Sequence, residues 1–263
     1  MALTATGIHY EEAGAGHAVV FLHGVTLDTR MWIDQVPAFA SRYRCISVDR
    51  RGHGRSEALT AGYDPVADLE ATLTDAGVRQ CCVVGYSLGG WDAIRLAGRR
   101  PDLVRSLVLV APWFPLPPML WTPPVDIFRR HGVVAGRAAW LADPLFESAT
   151  EVNNVRARLA EMVEDNDLGL WTRDVPSTEQ PIDPAELATA LRVPTMVVVG
   201  SADLPGFVAV GAWLAANVPG ATSAAVLVEG SGHMLPMEAP GAFNAILGRF
   251  LAEQTTPPGA TVG

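Results

Sequence analysis

The sequence predicts an α/β protein with a doubly wound, mostly parallel sheet and an inserted helical cap. Three observations predict it: short apolar runs recur along the chain, helix-like stretches lie between them, and one proline-rich segment interrupts this order. The apolar runs lack strict alternation, which is typical of parallel strands buried on both faces. Their alternation with helices favours the doubly wound arrangement.

The predicted strands share a composition of β-branched and other apolar residues. They cover residues 18–22, 45–48, 81–85, 106–110, 195–199 and 224–228. One predicted helix begins after Asp64, which suits the N-cap position, and has Pro65 at its first helical position. This helix is expected to stop at Gly77, and a second helix is predicted from Ser87 to Gly98.

Residues 112–185 are predicted to form the cap, which leaves 1–111 and 186–263 as the core. The cap segment is dense in proline and continues with amphipathic helical pieces, of which 147–164 is one. Four of the seven tryptophans lie in it and predict the apolar wall of a substrate pocket, although packing between cap and core would explain each of them equally well. They are Trp113, Trp121, Trp140 and Trp171. The tail, 253–263, is expected to be frayed.

Composition limits the function classes. The 263 residues are 49% hydrophobic and 18% charged, which suits one large domain or a domain with a cap. The formal net charge of −9 repels phosphate backbones and anionic lipid, so we expect neither nucleic acid nor a membrane surface as a partner. The N-terminus lacks a basic, apolar leader and no apolar run approaches the ~20 residues of a membrane span, which predicts a cytoplasmic protein.

The three cysteines, Cys45, Cys81 and Cys82, fall in or beside apolar runs. Their odd number and spacing fit neither a disulfide framework nor a metal site. We therefore expect buried structural thiols.

The strongest chemical signal is the pentapeptide Gly85-Tyr86-Ser87-Leu88-Gly89, which lies between a predicted strand and a predicted helix. This is the context that the G-x-S-x-G pattern requires. A sharp strand-to-helix turn projects the serine hydroxyl over the sheet, and flanking glycines relieve the crowding of that turn. The helix N-terminus favours developing negative charge. The pattern therefore predicts Ser87 as a nucleophile.

A serine hydroxyl needs a base to remove its proton, and the base needs a carboxylate to fix its tautomer. His233 is predicted as the base, because it lies in a glycine-rich loop after the last predicted strand, at the functional edge of the sheet. Asp203 follows the strand 195–199 and is the predicted acid, with Asp126 as the alternative. The order serine, aspartate, histidine is the one that accompanies this type of serine turn.

A developing oxyanion needs donors that are already in place. Leu88 offers the N–H of the residue after the nucleophile, and Val25 is predicted to offer a second N–H from the loop after the first strand. His23, in the same loop, is expected to be structural. No metal ion or organic cofactor is implied.

Five segments, in this order, resemble landmarks of the α/β-hydrolase superfamily: His23-Gly24, Asp49 to Ser56, Gly85 to Gly89, Gly200 to Asp203 and Gly230 to His233. The resemblance covers roughly 8–111 and 190–252 and leaves the cap unmatched. It implies the α/β-hydrolase fold and a structural role for the turn at 49–56, which lacks the lysine ending of a phosphate loop. Residues 27–32 and the chain length are similar to the enol-lactonase and small bacterial esterase branch.

The leading hypothesis is a serine hydrolase that cleaves a small carboxylic ester or lactone through an acyl-enzyme on Ser87. A carbon–carbon bond hydrolase and a cofactor-free perhydrolase or haloperoxidase would use the same residues. A ligand-sensing receptor with little turnover is the alternative from another class. An epoxide hydrolase or dehalogenase is disfavoured, since relatives of those kinds place aspartate where Ser87 stands. The sequence fixes neither the substrate nor an oligomeric state.

Overall fold

One mixed sheet forms the centre of the chain. A computed structural model describes residues 2–60, 62–116, 121–150, 152 and 154–255, and the predicted frayed tail lies mostly outside them, at 256–263. In the described residues, eight strands pair in the order β1-β2-β4-β3-β5-β6-β7-β8. They are β1 (Ala2–Leu3), β2 (His9–Ala13), β3 (Ala18–Leu22), β4 (Arg44–Val48), β5 (Cys81–Tyr86), β6 (Val104–Val110), β7 (Thr195–Gly200) and β8 (Val226–Val228).

The six strands that the sequence predicts, β3 to β8, are all present and pair in parallel. Strands β1 and β2 were not predicted; they add an antiparallel edge, with β2 paired to β4. The fold-class prediction is confirmed. Strand β8 is shorter than the predicted 224–228, since its first two residues lie outside the ladder with β7.

Helices cover both faces of the sheet. The helices are α1 (Val36–Phe39), α2 (Pro65–Asp75), α3 (Leu88–Arg99), α4 (Val125–Leu141), α5 (Val155–Asp165), α6 (Gly169–Thr172), α7 (Pro184–Ala190), α8 (Pro205–Asn217), α9 (Leu235–Glu238) and α10 (Pro240–Thr255). Alternate side chains of β3 enter two separate cores: Phe21 contributes to one and Val20 to the other. The first core is closed by α1, α4, α5, α6 and α10, and the second by α2, α3 and α7. This is the doubly wound arrangement.

The start of α2 shows why the local prediction succeeded. The Asp64 side chain accepts hydrogen bonds from the backbone N–H groups of Val66 and Ala67, both at 2.9 Å, and Pro65 occupies the first turn. The chain leaves the helix through Gly77, which has a φ of 64°. A left-handed residue at this point suits glycine and ends the helix.

The insertion between β6 and β7 is helical, and its division from the core at 112–185 stays a prediction. Helix α4 is broken at Gly132, with φ 81° and ψ 176°. The predicted helix over 147–164 is wrong in its first half. A short 3₁₀ turn covers Ser148–Thr150, and α5 begins only at Val155. Residues 151 and 153, between them, are not described. The left-handed backbone of Asn154, with a φ of 69°, prevents an earlier start. None of the described helices is both long and apolar enough to cross a bilayer.

Candidate active site

Ser87 occupies the turn between β5 and α3. Its backbone has a φ of 50° and a ψ of −117°, a conformation that costs a non-glycine residue on the order of 1–3 kcal/mol. Three hydrogen bonds hold it there. The Ser87 N–H donates to the Val110 carbonyl at 2.9 Å, and the Ser87 carbonyl accepts from the N–H groups of Gly90 at 2.9 Å and Trp113 at 3.0 Å. The surrounding backbone therefore fixes the position of the hydroxyl.

The flanking glycines have a steric reason. A Cβ atom at Gly85 would lie 2.4 Å from the Gly89 carbonyl oxygen, and one at Gly89 would lie 2.5 Å from the Leu22 carbonyl oxygen. Both distances are too short for a contact between a Cβ atom and a backbone carbonyl oxygen. The helix after Ser87 can therefore approach β3 and β5 this closely only with glycine at both positions.

The structure brings the three predicted residues Ser87, His233 and Asp203 into one hydrogen-bonded row. The distance from His233 Nε2 to Ser87 Oγ is 3.1 Å, and that from His233 Nδ1 to Asp203 Oδ2 is 2.9 Å. All three are buried, with exposed fractions of 6%, 1% and 7% in the order given. With Nδ1 as a donor to the carboxylate, Nε2 is left to accept a proton from the hydroxyl. The alternative acid, Asp126, is exposed on α4 beside Arg130 and takes no part in this row.

Aromatic rings hold the imidazole in place. The His233 ring centroid lies 4.2 Å from that of Phe207 and 5.1 Å from that of Tyr86. The Tyr86 hydroxyl donates to the Met234 sulfur at 3.0 Å. Burial, together with the charges of Asp203 and Glu238, raises the pKa of Tyr86 well above its usual value, so the phenol stays neutral.

The loops that carry Asp203 and His233 are joined by their backbones. The Ala202 N–H donates to the Ser231 carbonyl at 2.9 Å, and the Ser201 N–H donates to the Val228 carbonyl at 2.9 Å. A Cβ atom at Gly200 would lie only 2.2 Å from the Ser231 carbonyl oxygen. Glycine at the end of β7 therefore permits the close approach that aligns the acid with the base.

Sequence reasoning missed Glu238. Its Oε2 accepts from the Gly232 N–H at 2.6 Å and its Oε1 from the Met234 N–H at 3.1 Å, so one carboxylate holds both neighbours of His233. The Ser148 hydroxyl of the insertion also donates to Oε1, at 2.9 Å. The available signal was an acidic residue five positions after the predicted base. Its partners could not be read from that spacing.

The two predicted oxyanion donors, Val25 and Leu88, lie beside Ser87 at one cavity. Within the described residues, the N–H of neither donates to a protein acceptor. His23, in the loop before Val25, is tied into the backbone: its Nδ1–H donates to the Gly24 carbonyl at 2.7 Å, and its Nε2 accepts from the Arg50 N–H at 2.9 Å. Both ring nitrogens of His23 therefore serve the loop, and burial lowers the pKa of His23 and keeps it neutral.

The cavity has a volume of about 190 Å³ and a mainly apolar wall, with three aromatic side chains. Three of the four predicted tryptophans line it, namely Trp113, Trp121 and Trp171. Trp140 needs a correction. It is 1% exposed and packs against Trp121 and Trp171, with ring centroids 5.7 and 4.9 Å away. It is not one of the described residues that line the cavity. Its Nε1–H donates to the Thr26 hydroxyl at 2.8 Å.

The turn at 49–56 is structural in its contacts. The Asp49 carboxylate accepts from the backbone N–H groups of Thr29 at 2.7 Å and Arg55 at 3.0 Å, and from the His9 ring at 2.8 Å. The Ser56 hydroxyl donates to the Asp49 carbonyl at 2.6 Å. These bonds join the turn to β2 and to the loop after β3.

The three cysteines are buried and free. Burial raises the pKa of Cys45 to about 11 and that of Cys81 and Cys82 to about 12, so all three thiols stay protonated near neutral pH. This agrees with the expectation of structural thiols.

A buried serine, histidine and aspartate in hydrogen-bond contact at the carboxyl edge of a parallel sheet are typical of α/β serine hydrolases. A sequence model of the alpha/beta hydrolase family matches residues 19–246. The chain therefore belongs to the alpha/beta hydrolase family, a family of hydrolase enzymes, and the superfamily resemblance is confirmed.

Individual relatives differ in their activities. The chain is 39% identical over 118 residues to the non-heme chloroperoxidase CPO-A1 of Kitasatospora aureofaciens, a match that covers 43% of this chain and less than half, 42%, of that relative. The structure of Est816, an N-acyl homoserine lactone degrading enzyme, is similar with a TM-score of 0.72 and 26% identity, over 92% of this chain and 96% of that one. The enol-lactonase from Burkholderia xenovorans LB400 is similar with a TM-score of 0.77 and 25% identity, over 93% and 96% of the two chains.

Proposed function

We propose that the chain is a serine hydrolase that cleaves a small carboxylic ester or lactone through an acyl-enzyme on Ser87. The observation that carries the proposal is the row of hydrogen bonds from Ser87 Oγ through the imidazole to the Asp203 carboxylate, at 3.1 and 2.9 Å. Two structural neighbours, an N-acyl homoserine lactone degrading enzyme and an enol-lactonase, support the same class of reaction.

The proposed reaction gives each residue of this row one role. Ser87 Oγ attacks the carbonyl carbon while His233 Nε2 accepts the hydroxyl proton, and the Asp203 carboxylate stabilises the imidazolium that forms. The N–H groups of Val25 and Leu88 receive the oxyanion. The imidazolium then protonates the leaving alcohol oxygen. In the second half, His233 takes a proton from water, the resulting hydroxide attacks the acyl carbon, and the carboxylic acid leaves as Ser87 regains its proton.

The cavity favours an uncharged substrate with an apolar or aromatic group. None of its described lining residues carries a charged side chain, and Ser87 is the only one of them with a side-chain hydroxyl. A carboxylate on the bound group would lose its hydration without gaining a cationic partner, which is strongly unfavourable. We therefore expect aryl and alkyl esters or lactones to be cleaved faster than their carboxylated analogues.

The test is a panel of neutral and carboxylated esters and lactones, together with a fluorophosphonate that labels reactive serines. Ser87→Ala should lower kcat by ~10⁴-fold or more and abolish labelling, because the members of such a triad act as a unit. Ser223→Ala, at an exposed turn, is the matched control. Undiminished turnover in Ser87→Ala would refute the proposal. Labelling of Ser87 with negligible turnover across the panel would instead favour a receptor.

The match to a non-heme chloroperoxidase favours perhydrolysis as a second candidate. A carboxylic acid would acylate Ser87 with loss of water, and hydrogen peroxide in place of water would attack the acyl carbon. This step releases a peracid and free Ser87, and the peracid oxidises a halide to hypohalite while returning to the carboxylic acid. Bromination of monochlorodimedone that requires both acetate and peroxide, and is lost in Ser87→Ala, would support this activity. Bromination without acetate would contradict it.

A further inference from the structure

Trp140 and Thr26 form a buried polar contact between the insertion and the loop of the predicted oxyanion donor. The Trp140 Nε1–H donates to the Thr26 hydroxyl at 2.8 Å, although the two residues are 114 positions apart. Their exposed fractions are 1% and 2%. An indole N–H buried at this depth needs an acceptor, and this hydroxyl provides it.

Thr26 is held in an unfavourable backbone conformation. Its φ is 61°, in the left-handed region that a β-branched residue rarely adopts. It follows Val25 directly and lies inside a turn that the Leu27 N–H closes on the Gly24 carbonyl at 3.3 Å. Because the peptide planes of this turn move together, the position of Thr26 affects the direction of the Val25 N–H.

The indole ring of Trp140 is itself fixed by packing. Its centroid lies 4.8 Å from that of Phe146 and 4.9 Å from that of Trp171, both in edge-to-face contact. This packing holds the indole in place, and the hydrogen bond transmits that fixed position to Thr26. A residue that only filled space would need no donor aimed at this hydroxyl.

We propose that Trp140 is a positioning residue, which aligns the Val25 N–H with the oxyanion by holding Thr26. The inference rests on the proposed ester or lactone hydrolysis at Ser87. It assigns to the insertion a role in transition-state stabilisation as well as in forming the wall of the cavity. A misaligned donor weakens binding of the oxyanion and leaves binding of the neutral ground state largely intact.

The experiment uses Trp140→Phe, which retains an aromatic ring and removes the five-membered part of the indole together with its N–H. The readouts are kcat and KM for p-nitrophenyl butyrate and the inhibition constant of a trifluoromethyl ketone, whose adduct carries the oxyanion. We expect kcat and affinity for the ketone to fall in parallel on the order of tenfold, a part of the ~100- to 1000-fold that loss of a whole donor costs. The KM should change by less than about twofold.

The matched control is Trp32→Phe. Trp32 is also fully buried, but its Nε1–H has no hydrogen-bond partner among the described residues, so the substitution removes the same atoms without this contact. Thr26→Val retains the β-branched shape and removes the hydroxyl, and it should reproduce the effect of Trp140→Phe. Thr26→Ser keeps the hydroxyl and should restore most of kcat. The double variant Trp140→Phe/Thr26→Val should lose no more than either single variant.

Equal kcat and equal ketone affinity in Trp140→Phe and Trp32→Phe would overturn the inference while leaving ester hydrolysis intact. A rise in KM that accounts for the whole effect would also overturn it, because the tryptophan would then act on substrate binding. Thermal unfolding identifies a variant that does not fold, and Thr26→Val then decides the question. Absence of ester turnover in the unmodified protein would remove the proposed function and this inference together.

Discussion

Substitution of Asp203 by asparagine preserves the shape of the side chain and removes its charge. In the structure, Asp203 Oδ1 accepts from the backbone N–H of Leu204 at 2.7 Å, and Oδ2 faces His233 Nδ1 at 2.9 Å. Because the Leu204 N–H is a fixed donor, the asparagine side chain will direct its carbonyl oxygen toward it. Its NH₂ group will then face the imidazole.

This orientation forces the wrong tautomer. An NH₂ donor at this position requires His233 Nδ1 to accept, so the ring proton moves to Nε2, which lies 3.1 Å from Ser87 Oγ. An Nε2 that already carries a proton cannot accept another from the hydroxyl. We expect a fall in kcat of ~10⁴-fold, as for the equivalent change in a serine protease. At 1.36 kcal/mol for each tenfold step, this raises the barrier by about 5.4 kcal/mol.

The assay is hydrolysis of p-nitrophenyl butyrate at saturating substrate, with thermal unfolding to show that the variant is folded. Asp126→Asn is the matched control, since Asp126 is the other aspartate that the sequence offered and it is exposed on α4. Turnover within tenfold of the unmodified protein in Asp203→Asn would refute the tautomer argument. Loss of turnover in Asp126→Asn would refute the assignment of the acid.

Two predictions concern stability. Glu238→Gln places an amide donor against one of the two backbone N–H groups beside His233. Because a hydrogen bond to a charged group is worth about 1.5–3 kcal/mol, Tm should fall by roughly 3–12 °C. The matched control, exposed Glu229→Gln, should lower Tm by less than about 2 °C. An unchanged Tm in Glu238→Gln would contradict the loop role. Burial lowers the pKa of His23 and brings that of His53 well below 6.5. Below pH 6.5 the unfolded chain therefore binds more protons than the folded chain. The stability that these histidines contribute is complete above pH 6.5 and falls as the pH drops. Each histidine contributes up to about 1.4 kcal/mol per pH unit. His53→Gln should therefore roughly halve the decline of Tm between pH 6.5 and 5.5, whereas exposed His17→Gln, the control, should not change it. An unaltered decline in His53→Gln would exclude His53 as a source of the pH dependence.

The parallel part of the sheet was predictable because its strands are buried on both faces and carry continuous apolar runs. The edge was not. Strand β2 reads His-Tyr-Glu-Glu-Ala, with one glutamate half-buried and the next exposed, so neither a continuous run nor a clear alternation marks it. The predicted start of α5 was wrong for a different reason. The left-handed backbone of Asn154 interrupts a stretch whose apolar spacing favours a helix.

The row of Ser87, Asp203 and His233 was predictable because each residue follows a strand and has glycine beside or near it. Those glycines record close backbone approaches, which leave a local trace in the sequence. The contact of Glu238 with Ser148 and that of Trp140 with Thr26 leave none, since these partners are 90 and 114 positions apart. Long-range polar pairs of this kind depend on how the insertion sits on the core, which local patterns do not determine.

The insertion is the part of the chain that the superfamily landmarks leave unmatched, yet it contacts both loops of the site. Trp140 donates to Thr26 beside one predicted oxyanion donor, and Ser148 donates to the carboxylate that holds the loop of His233. The same segment supplies Trp121 and Trp171 to the cavity wall. A substitution that reshapes the wall therefore also shifts the rings against which Trp140 packs. For the proposed hydrolysis we therefore expect substrate preference and transition-state stabilisation to be coupled, so that changes in the insertion alter kcat as well as KM.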